Sequence, residues 1–174
     1  MSHPYYTHRK YLFNSLNSLN IKDKINILEF GVGDGSSLLF HEFAYKNPNV
    51  NIKAFETDKL WIDQTKEKYS LSNYEFIFID NWDTFLIEDN FKEDNYDLIF
   101  IDQSPWEARV KTMDLLIDKS KITILHDYDF FNKGYIEDIF DFGENSFFKK
   151  YISKNILLSG FHEELPPTLV FNKI

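Results

Sequence analysis

Short apolar runs recur along the chain and alternate with stretches whose apolar residues repeat at helical spacing. Five of the runs are almost continuously apolar, which is expected of strands with both faces covered. They occupy residues 25–30, 51–56, 74–79, 97–102 and 121–126. Helices are predicted between them over residues 36–45, 59–69 and 105–118. This alternation of strands and helices predicts a mostly parallel, doubly wound α/β sheet with right-handed crossovers.

The two ends of the chain follow a different pattern. Residues 5–19 predict a helix against the sheet edge, and residues 135–151 are aromatic with a helical period. Two more strands are predicted over residues 155–159 and 168–172, and the short connection 163–167 makes them a hairpin. No linker or internal repeat interrupts the sequence. We therefore expect one domain over 1–174, divided into an N-terminal helix (1–20), a core (25–127) and a C-terminal helix and hairpin (128–174).

Composition narrows the classes of function. The 28 acidic and 19 basic residues give a net charge of −9 and a pI near 5.0, which disfavours nucleic acid as a partner. The absence of cysteine excludes disulfides and zinc–thiolate sites. No apolar run approaches the roughly 20 residues that span a bilayer, and the N-terminus lacks a leader pattern. We expect a cytoplasmic protein without a membrane partner.

The aromatic residues, 18% of the chain, suggest rings in a pocket or interface as well as in the core.

The clearest local signal is EFGVGDGSS at residues 29–37, where a predicted strand runs into three glycines and a helix follows. Gly31, Gly33 and Gly35 are two residues apart, whereas a nicotinamide-binding fingerprint has its third glycine three residues after the second. A GxxxxGK[ST] phosphate loop is absent. Such a glycine loop lets a ligand approach the main-chain N–H groups at the start of the helix.

An acid followed by Gly-x-Gly-x-Gly resembles the motif of class I S-adenosylmethionine-dependent methyltransferases, and the resemblance covers roughly residues 25–127. It implies a Rossmann-like methyltransferase fold with a seven-stranded, mostly parallel sheet and an antiparallel C-terminal hairpin. It also implies S-adenosyl-L-methionine (SAM) as the cofactor. The residues of the loop that would hold its methionine part are Glu29, Gly31, Gly33, Gly35 and Ser36.

The same resemblance implies contacts for the rest of the cofactor. Glu56 ends the second predicted strand, where the family has the acid that binds the ribose hydroxyls, and Asp58 is the alternative. Asp80 or Asn81, after the third strand, would accept from the adenine amine. Trp82 would pack on the adenine ring, with a place in the hydrophobic core as an equal alternative.

Two further segments end neighbouring predicted strands. Asp102 follows the fourth strand, and His126 and Asp127 close the fifth. Because the carboxyl ends of adjacent parallel strands meet at one edge, these three side chains should converge. They would either bind Mg²⁺ or a similar divalent cation, or remove a proton from a hydroxyl group.

These segments also resemble those of metal-dependent O-methyltransferases that act on sugars or small hydroxylated molecules. That subgroup has an Asp-Gly-containing segment after the fourth strand and His-Asp after the fifth. Here Gln103 replaces the glycine and the histidine of that segment is missing, so a base role passes to His126 or Asp127. The resemblance implies methyl transfer to an oxygen of a small-molecule or glycan acceptor. A homodimer is left open.

Alternatives remain at this stage. The chain could be a methyltransferase-like binding module without catalysis. Ser104-Pro105-Trp106 is a degenerate form of the [DNS]PP[FYW] loop of amino-group methyltransferases.

Arg109 would pair along its helix with Glu107 or Asp114, or bind an anionic substrate group. Residues 5–9 could fold over the pocket as a lid. The scattered histidines are expected to be structural or solvated, and they are His3, His8, His41 and His162.

Overall fold

Seven strands form one sheet in this computed structural model, which describes residues 6–87, 91, 95–127, 150–153, 155–162 and 166–174. The strands are β1 (Ile25–Phe30), β2 (Val50–Glu56), β3 (Tyr74–Phe78), β4 (Tyr96–Ile101), β5 (Ser120–His126), β6 (Ile156–His162) and β7 (Thr168–Lys173). Their order is β3-β2-β1-β4-β5-β7-β6. Pairs among β1 to β5 are parallel, and β7 is antiparallel to both β5 and β6. The predicted doubly wound sheet with an antiparallel hairpin is confirmed.

The burial of the strands explains why they could be predicted from runs of apolar residues. All six residues of β4 are buried, and so are five of the six in β1, because helices cover both faces at the centre of the sheet. The edge strand β3 instead alternates between buried and exposed positions at its start. Each of the five predicted parallel strands is present, with its ends displaced by no more than one residue.

Five α-helices lie in the described residues: α1 (Arg9–Ser18), α2 (Ser37–Lys46), α3 (Lys59–Tyr69), α4 (Trp82–Ile87) and α5 (Trp106–Leu116). The short helix α4 was not predicted. The prediction for α5 was too long at its end, where a 3₁₀ turn follows over Ile117–Lys119. The N-terminal helix begins at Arg9, later than predicted. The predicted helix over 135–151 lies almost wholly outside the described residues.

Two apolar clusters pack on opposite faces of the sheet. One contains Phe30, Phe55 and Trp82, and the other contains Phe40 and Phe100. Rings therefore fill both cores, and much of the aromatic content is accounted for by packing. None of the described helices combines the length and apolar character needed to cross a bilayer.

Candidate active site

The glycine loop is pressed against the end of β4. Gly31 has φ +84°, and a Cβ added there would lie 2.7 Å from the carbonyl carbon and oxygen of Asp102. The main chain on either side is fixed by Gly31 N donating to the Phe55 carbonyl (2.9 Å) and Asp102 N donating to the Phe30 carbonyl (2.8 Å). Position 31 therefore requires glycine for both its backbone conformation and its close approach to β4.

Glu29 supports this loop from within the core. Its fully buried carboxylate accepts hydrogen bonds from the hydroxyls of Ser36 (2.7 Å) and Ser37 (2.9 Å), and from the hydroxyl of Tyr74. Ser36 and Ser37 stand at the beginning of α2, so these bonds tie the start of that helix to β1. The geometry gives Glu29 and Ser36 a supporting position behind the loop, with their polar atoms already paired to each other.

The environment of Glu29 alters its protonation. Burial raises its pKa from 4.5 to about 7, because the opposing effect of the hydrogen bonds from Ser36, Tyr74 and Ser37 is smaller. The carboxyl group therefore binds its proton more tightly in the folded protein than in the unfolded chain. Stability from this group is present at low pH and is lost as the pH rises from the unfolded value towards the folded one.

We expect Glu29→Gln to remove this pH dependence while keeping the size of the side chain. Between about pH 5 and pH 7, the free energy of unfolding of the wild type should fall by about 2 kcal/mol relative to that of the variant. Urea denaturation at a series of pH values measures the difference. A gap that stays constant across this range would contradict a raised pKa for Glu29.

Glu56 lies where β2 ends and faces the glycine loop. It is 8% exposed, and its Oε2 accepts a hydrogen bond from Val32 N (3.3 Å). Its Oε1 accepts from the main-chain N–H groups of Thr57 (2.7 Å) and Asp58 (2.9 Å). Asp58, the alternative to Glu56, instead caps α3 by accepting from Trp61 N at 2.9 Å. Of the two acids, Glu56 is therefore the one beside the loop.

The three residues after β3 differ in accessibility. Asp80 is exposed. The Oδ1 atom of Asn81 accepts from Asp83 N (2.7 Å) and Thr84 N (3.3 Å) and so caps the start of α4. Trp82 is 3% exposed, and its Nε1 donates to the Ser104 carbonyl at 2.8 Å. The core alternative for Trp82 is thus the observed one. Asp80 and Asn81 are both exposed, but the oxygen of Asn81 is already used in the cap of α4.

Asp102 and His126 come together at the ends of β4 and β5, as the strand order predicted. His126 Nδ1 lies 3.1 Å from Asp102 Oδ1. A third residue, His8, joins them from the N-terminal side of α1, with its ring centroid 4.4 Å from that of His126. His8, Asp102 and His126 each offer one potential ligand atom, and these atoms all lie within 4.8 Å of one another. We call these three residues the histidine cluster.

His8 was expected to be structural or solvated, and the structure shows that it is buried and not solvated. It is 3% exposed, and its pKa is lowered from 6.5 to about 3, mainly by burial and then by the charge of His126. Its ring also lies over the glycine loop, since a Cβ added at Gly35 would be 2.9 Å from His8 Nε2. Beside it, Thr7 Oγ1 lies 3.2 Å from His126 Nε2. The segment that was predicted as a lid therefore lies against the glycine loop and against His126.

Asp127 does not belong to the histidine cluster, so the predicted metal trio of Asp102, His126 and Asp127 is not the set that the structure groups. The Oδ2 atom of Asp127 lies 3.4 Å from Arg109 Nη1, and its backbone adopts φ +56°. Because of this conformation its carboxylate faces α5 instead of the two histidines.

Arg109 was expected to pair along its helix with Glu107 or Asp114, or to bind an anionic substrate group, and it is buried against the ends of β4 and β5 instead. Its guanidinium donates to the carbonyls of Gln103 (2.7 Å), His126 (2.8 Å) and Asp127 (2.7 Å). It also pairs with Asp102 Oδ1 at 3.1 Å. Burial alone would raise the pKa of Asp102, but the neighbouring His126 and Arg109 outweigh it and lower the pKa. Arg109 thus holds the ends of β4 and β5 in register.

A sequence signal for the burial of Arg109 does exist. Arg109, Met113 and Leu116 follow the i, i+4, i+7 spacing of one helix face, and all three are buried. An arginine on the apolar face of a helix that follows a strand-end carboxylate can be expected to turn towards that carboxylate. For His8 the sequence carries no comparable signal.

Comparisons with known proteins were made against families, curated proteins and solved structures. No family model matches the sequence, and no curated protein matches it. A Klebsiella pneumoniae protein provisionally described as an O-methyltransferase is similar in structure, with a TM-score of 0.65 and 12% identity over 95% of this chain and 79% of that one. The precorrin-6y C5,15-methyltransferase of Geobacter metallireducens gives a TM-score of 0.59 and 15% identity over 95% and 86%.

A third similar structure is human methyltransferase-like protein 13 in complex with S-adenosylhomocysteine (SAH). Its TM-score is 0.58, with 18% identity over 96% of this chain and 82% of that chain. At such identities the likeness shows the fold alone. The chain has the fold of class I SAM-dependent methyltransferases, as the glycine motif predicted.

Proposed function

We propose that this chain is a SAM-dependent methyltransferase that transfers a methyl group to a hydroxyl oxygen of a sugar or another small hydroxylated acceptor. The observation that carries the proposal is that three candidate groups lie at the same edge of the sheet. The glycine loop, Glu56 and the Asp102–His126 pair all lie at the carboxyl edge of one doubly wound sheet, which is where such sheets bind ligands.

The loop and the two acids beside it suit the cofactor. Gly33 has no side chain of its own, and an added Cβ would make an ordinary contact with the Trp61 ring at 3.8 Å. A ligand can therefore approach the main chain there. Glu56 Oε1 is already used by Thr57 and Asp58, but Oε2 accepts only the long bond from Val32 N and retains a lone pair for a ribose hydroxyl. Asp80 is the exposed acceptor for the adenine amine. Structures with this fold have been solved with SAH bound, which supports this cofactor.

Methyl transfer requires that the acceptor hydroxyl be aligned with the methyl group and that its proton be removed. When bound, SAM supplies an electrophilic methyl group that an oxygen attacks in line. Asp102 orients the His126 ring through Nδ1, and this leaves Nε2 to take the proton of the acceptor hydroxyl. Thr7 now occupies that position with its own hydroxyl. We propose that residues 6–8 move aside for the acceptor and then exclude water.

Glu56→Ala is expected to weaken SAH binding by about 1–3 kcal/mol, the scale of hydrogen bonds to a charged group. Isothermal titration calorimetry with SAH measures this loss. Glu75→Ala is the matched control, because Glu75 is an exposed acid on the adjacent strand β3. Equal affinity in the wild type and in Glu56→Ala would refute the ribose contact.

The titration of the wild type also separates the enzyme from its main alternative, a module that has this fold and no catalysis. Failure to bind SAH at about millimolar concentration, far above the range of useful substrate affinities, would refute the enzyme proposal. Binding of SAH without turnover of any hydroxylated acceptor would favour the module.

Methyl transfer to an amino group is the less favoured chemistry. The Ser104 carbonyl in the degenerate Ser-Pro-Trp segment already accepts the Trp82 indole N–H at 2.8 Å, so it is paired within the protein. The net charge of −9 also opposes contact with a phosphate backbone. We therefore keep a small molecule or glycan as the acceptor.

A further inference from the structure

We propose that His8, Asp102 and His126 form a binding site for a divalent transition-metal ion of the Zn²⁺ or Co²⁺ type. The site joins the N-terminal segment to the ends of β4 and β5. It differs from the predicted site for Mg²⁺ or a similar divalent cation in one ligand, with His8 in the place of Asp127, and it narrows the kind of ion.

The spacing of the donors is close to that of a metal site. Ligands about 2.0–2.1 Å from a tetrahedral ion are about 3.3 Å apart. His126 Nδ1 and Asp102 Oδ1 are 3.1 Å apart, and the His8 donor lies within 4.8 Å of both. An ion between Nδ1 and Oδ1 would replace their direct contact and leave the proton on Nε2, so bound metal and the base role of His126 exclude each other. A small movement of the His8 ring towards the other two residues would complete a three-ligand set, with a fourth position open for another ligand.

The state of His8 points to a missing partner. Its side chain is buried, and neither ring nitrogen makes a hydrogen bond of good geometry with the residues that the structure describes, although the main chain of Gly35 interacts with the ring. A buried polar group without a partner destabilises a protein, so such groups are normally paired. A metal ion on one of these nitrogens would remove that penalty, while an ordinary structural histidine would be bonded to the chain around it.

The surroundings of the cluster combine charged groups with an apolar ring. Arg109 pairs with Asp102 at 3.1 Å, and the positive charge of Arg9 also acts on His8, where it lowers the pKa. The ring of Phe100, whose centroid is 5.1 Å from that of His8, adds an apolar wall that strengthens electrostatic attraction at the site.

The ligand set indicates which ions fit. Mg²⁺ and Ca²⁺ prefer oxygen ligands, and this cluster supplies a single carboxylate. Two imidazoles with one carboxylate suit Zn²⁺, Co²⁺ and Ni²⁺. The magnesium expectation therefore does not fit these residues, and a borderline transition metal does.

The metal site can be tested without SAM or an acceptor. A negative result would therefore contradict the metal site and leave the methyltransferase proposal unaffected. Full-length, tag-free protein is freed of metal with a chelator and then titrated separately with Zn²⁺, Co²⁺ and Mg²⁺. We expect Zn²⁺ and Co²⁺ to raise the Tm and Mg²⁺ to leave it unchanged, because binding to the folded state alone stabilises it. Bound Co²⁺ should also give visible absorption bands typical of nitrogen and oxygen ligands.

Variants then identify the ligands. His8→Ala should weaken Co²⁺ binding at least about tenfold, since even residues that only support a metal ligand cost that much when lost. His8→Phe keeps a ring in the same space and serves if the alanine variant is unstable. His41→Ala is the control, because His41 bonds the Tyr69 carbonyl and lies outside the cluster. No shift in the wild type, or equal Co²⁺ affinity in the His8 variants, would overturn the proposal.

Discussion

Arg109→Met is expected to lower the free energy of unfolding by about 3–5 kcal/mol, the cost of breaking a buried ion pair from one side. The guanidinium satisfies the carbonyls of Gln103, His126 and Asp127 and pairs with the Asp102 carboxylate. Methionine fills a similar volume but donates no hydrogen bond. The variant would therefore leave buried oxygens and a carboxylate without their partner, and urea denaturation would measure the loss.

Lys111→Met supplies the matched control on the same helix. It removes the same charge, but Lys111 and its partner Asp83 are both largely exposed, at 54% and 62%. Exposed pairs contribute little, so we expect a change below about 1 kcal/mol. Similar losses in the two variants would show that net charge, and not the buried contacts of Arg109, sets the stability.

Gly31→Ala is the second change with a large expected effect, about 2–5 kcal/mol of unfolding free energy. A left-handed backbone costs an alanine about 1–2 kcal/mol, and a forced contact in a packed region adds about 1–3 kcal/mol. The new methyl group would lie 2.7 Å from the main chain of Asp102, and main-chain atoms of a central strand cannot give way as a side-chain tip can. Thermal and urea denaturation measure the effect.

Gly33→Ala separates this effect from a general intolerance of the loop. A methyl group there would lie 3.8 Å from the nearest atom, in the Trp61 ring, and its backbone does not have a positive φ. We expect its stability to stay within about 0.5 kcal/mol of the wild type, as for substitutions away from strained sites. A large loss at Gly33 would mean that the Trp61 ring cannot accommodate the added methyl group at this contact distance.

Much of the fold was predictable because burial on both faces imposes a simple pattern. The strands β1 and β4 are apolar at nearly every position, and they were located to within a residue. The helix α4 was missed because its six residues are too few to show a helical period. Asn81, which caps the start of this helix, was interpreted instead as a residue that contacts the adenine.

The site was predictable only where strand order alone determines it. Asp102 and His126 end adjacent parallel strands, so their meeting follows from topology. His8 reaches the same place because α1 packs across the sheet, and no local spacing encodes that contact. Asp127 was placed wrongly because its left-handed backbone turns its carboxylate to Arg109, a conformation that sequence spacing does not reveal.

The contacts of Thr7 indicate when the N-terminal segment packs against the sheet during folding. Thr7 bonds His126, 119 residues later, and the carbonyl of Pro166, 159 residues later, so both partners are synthesised long after it. Contacts so distant along the chain form late in folding, because closing a long loop must precede them. The sheet can therefore assemble first, and the cover over the glycine loop is added when β7 is already in place.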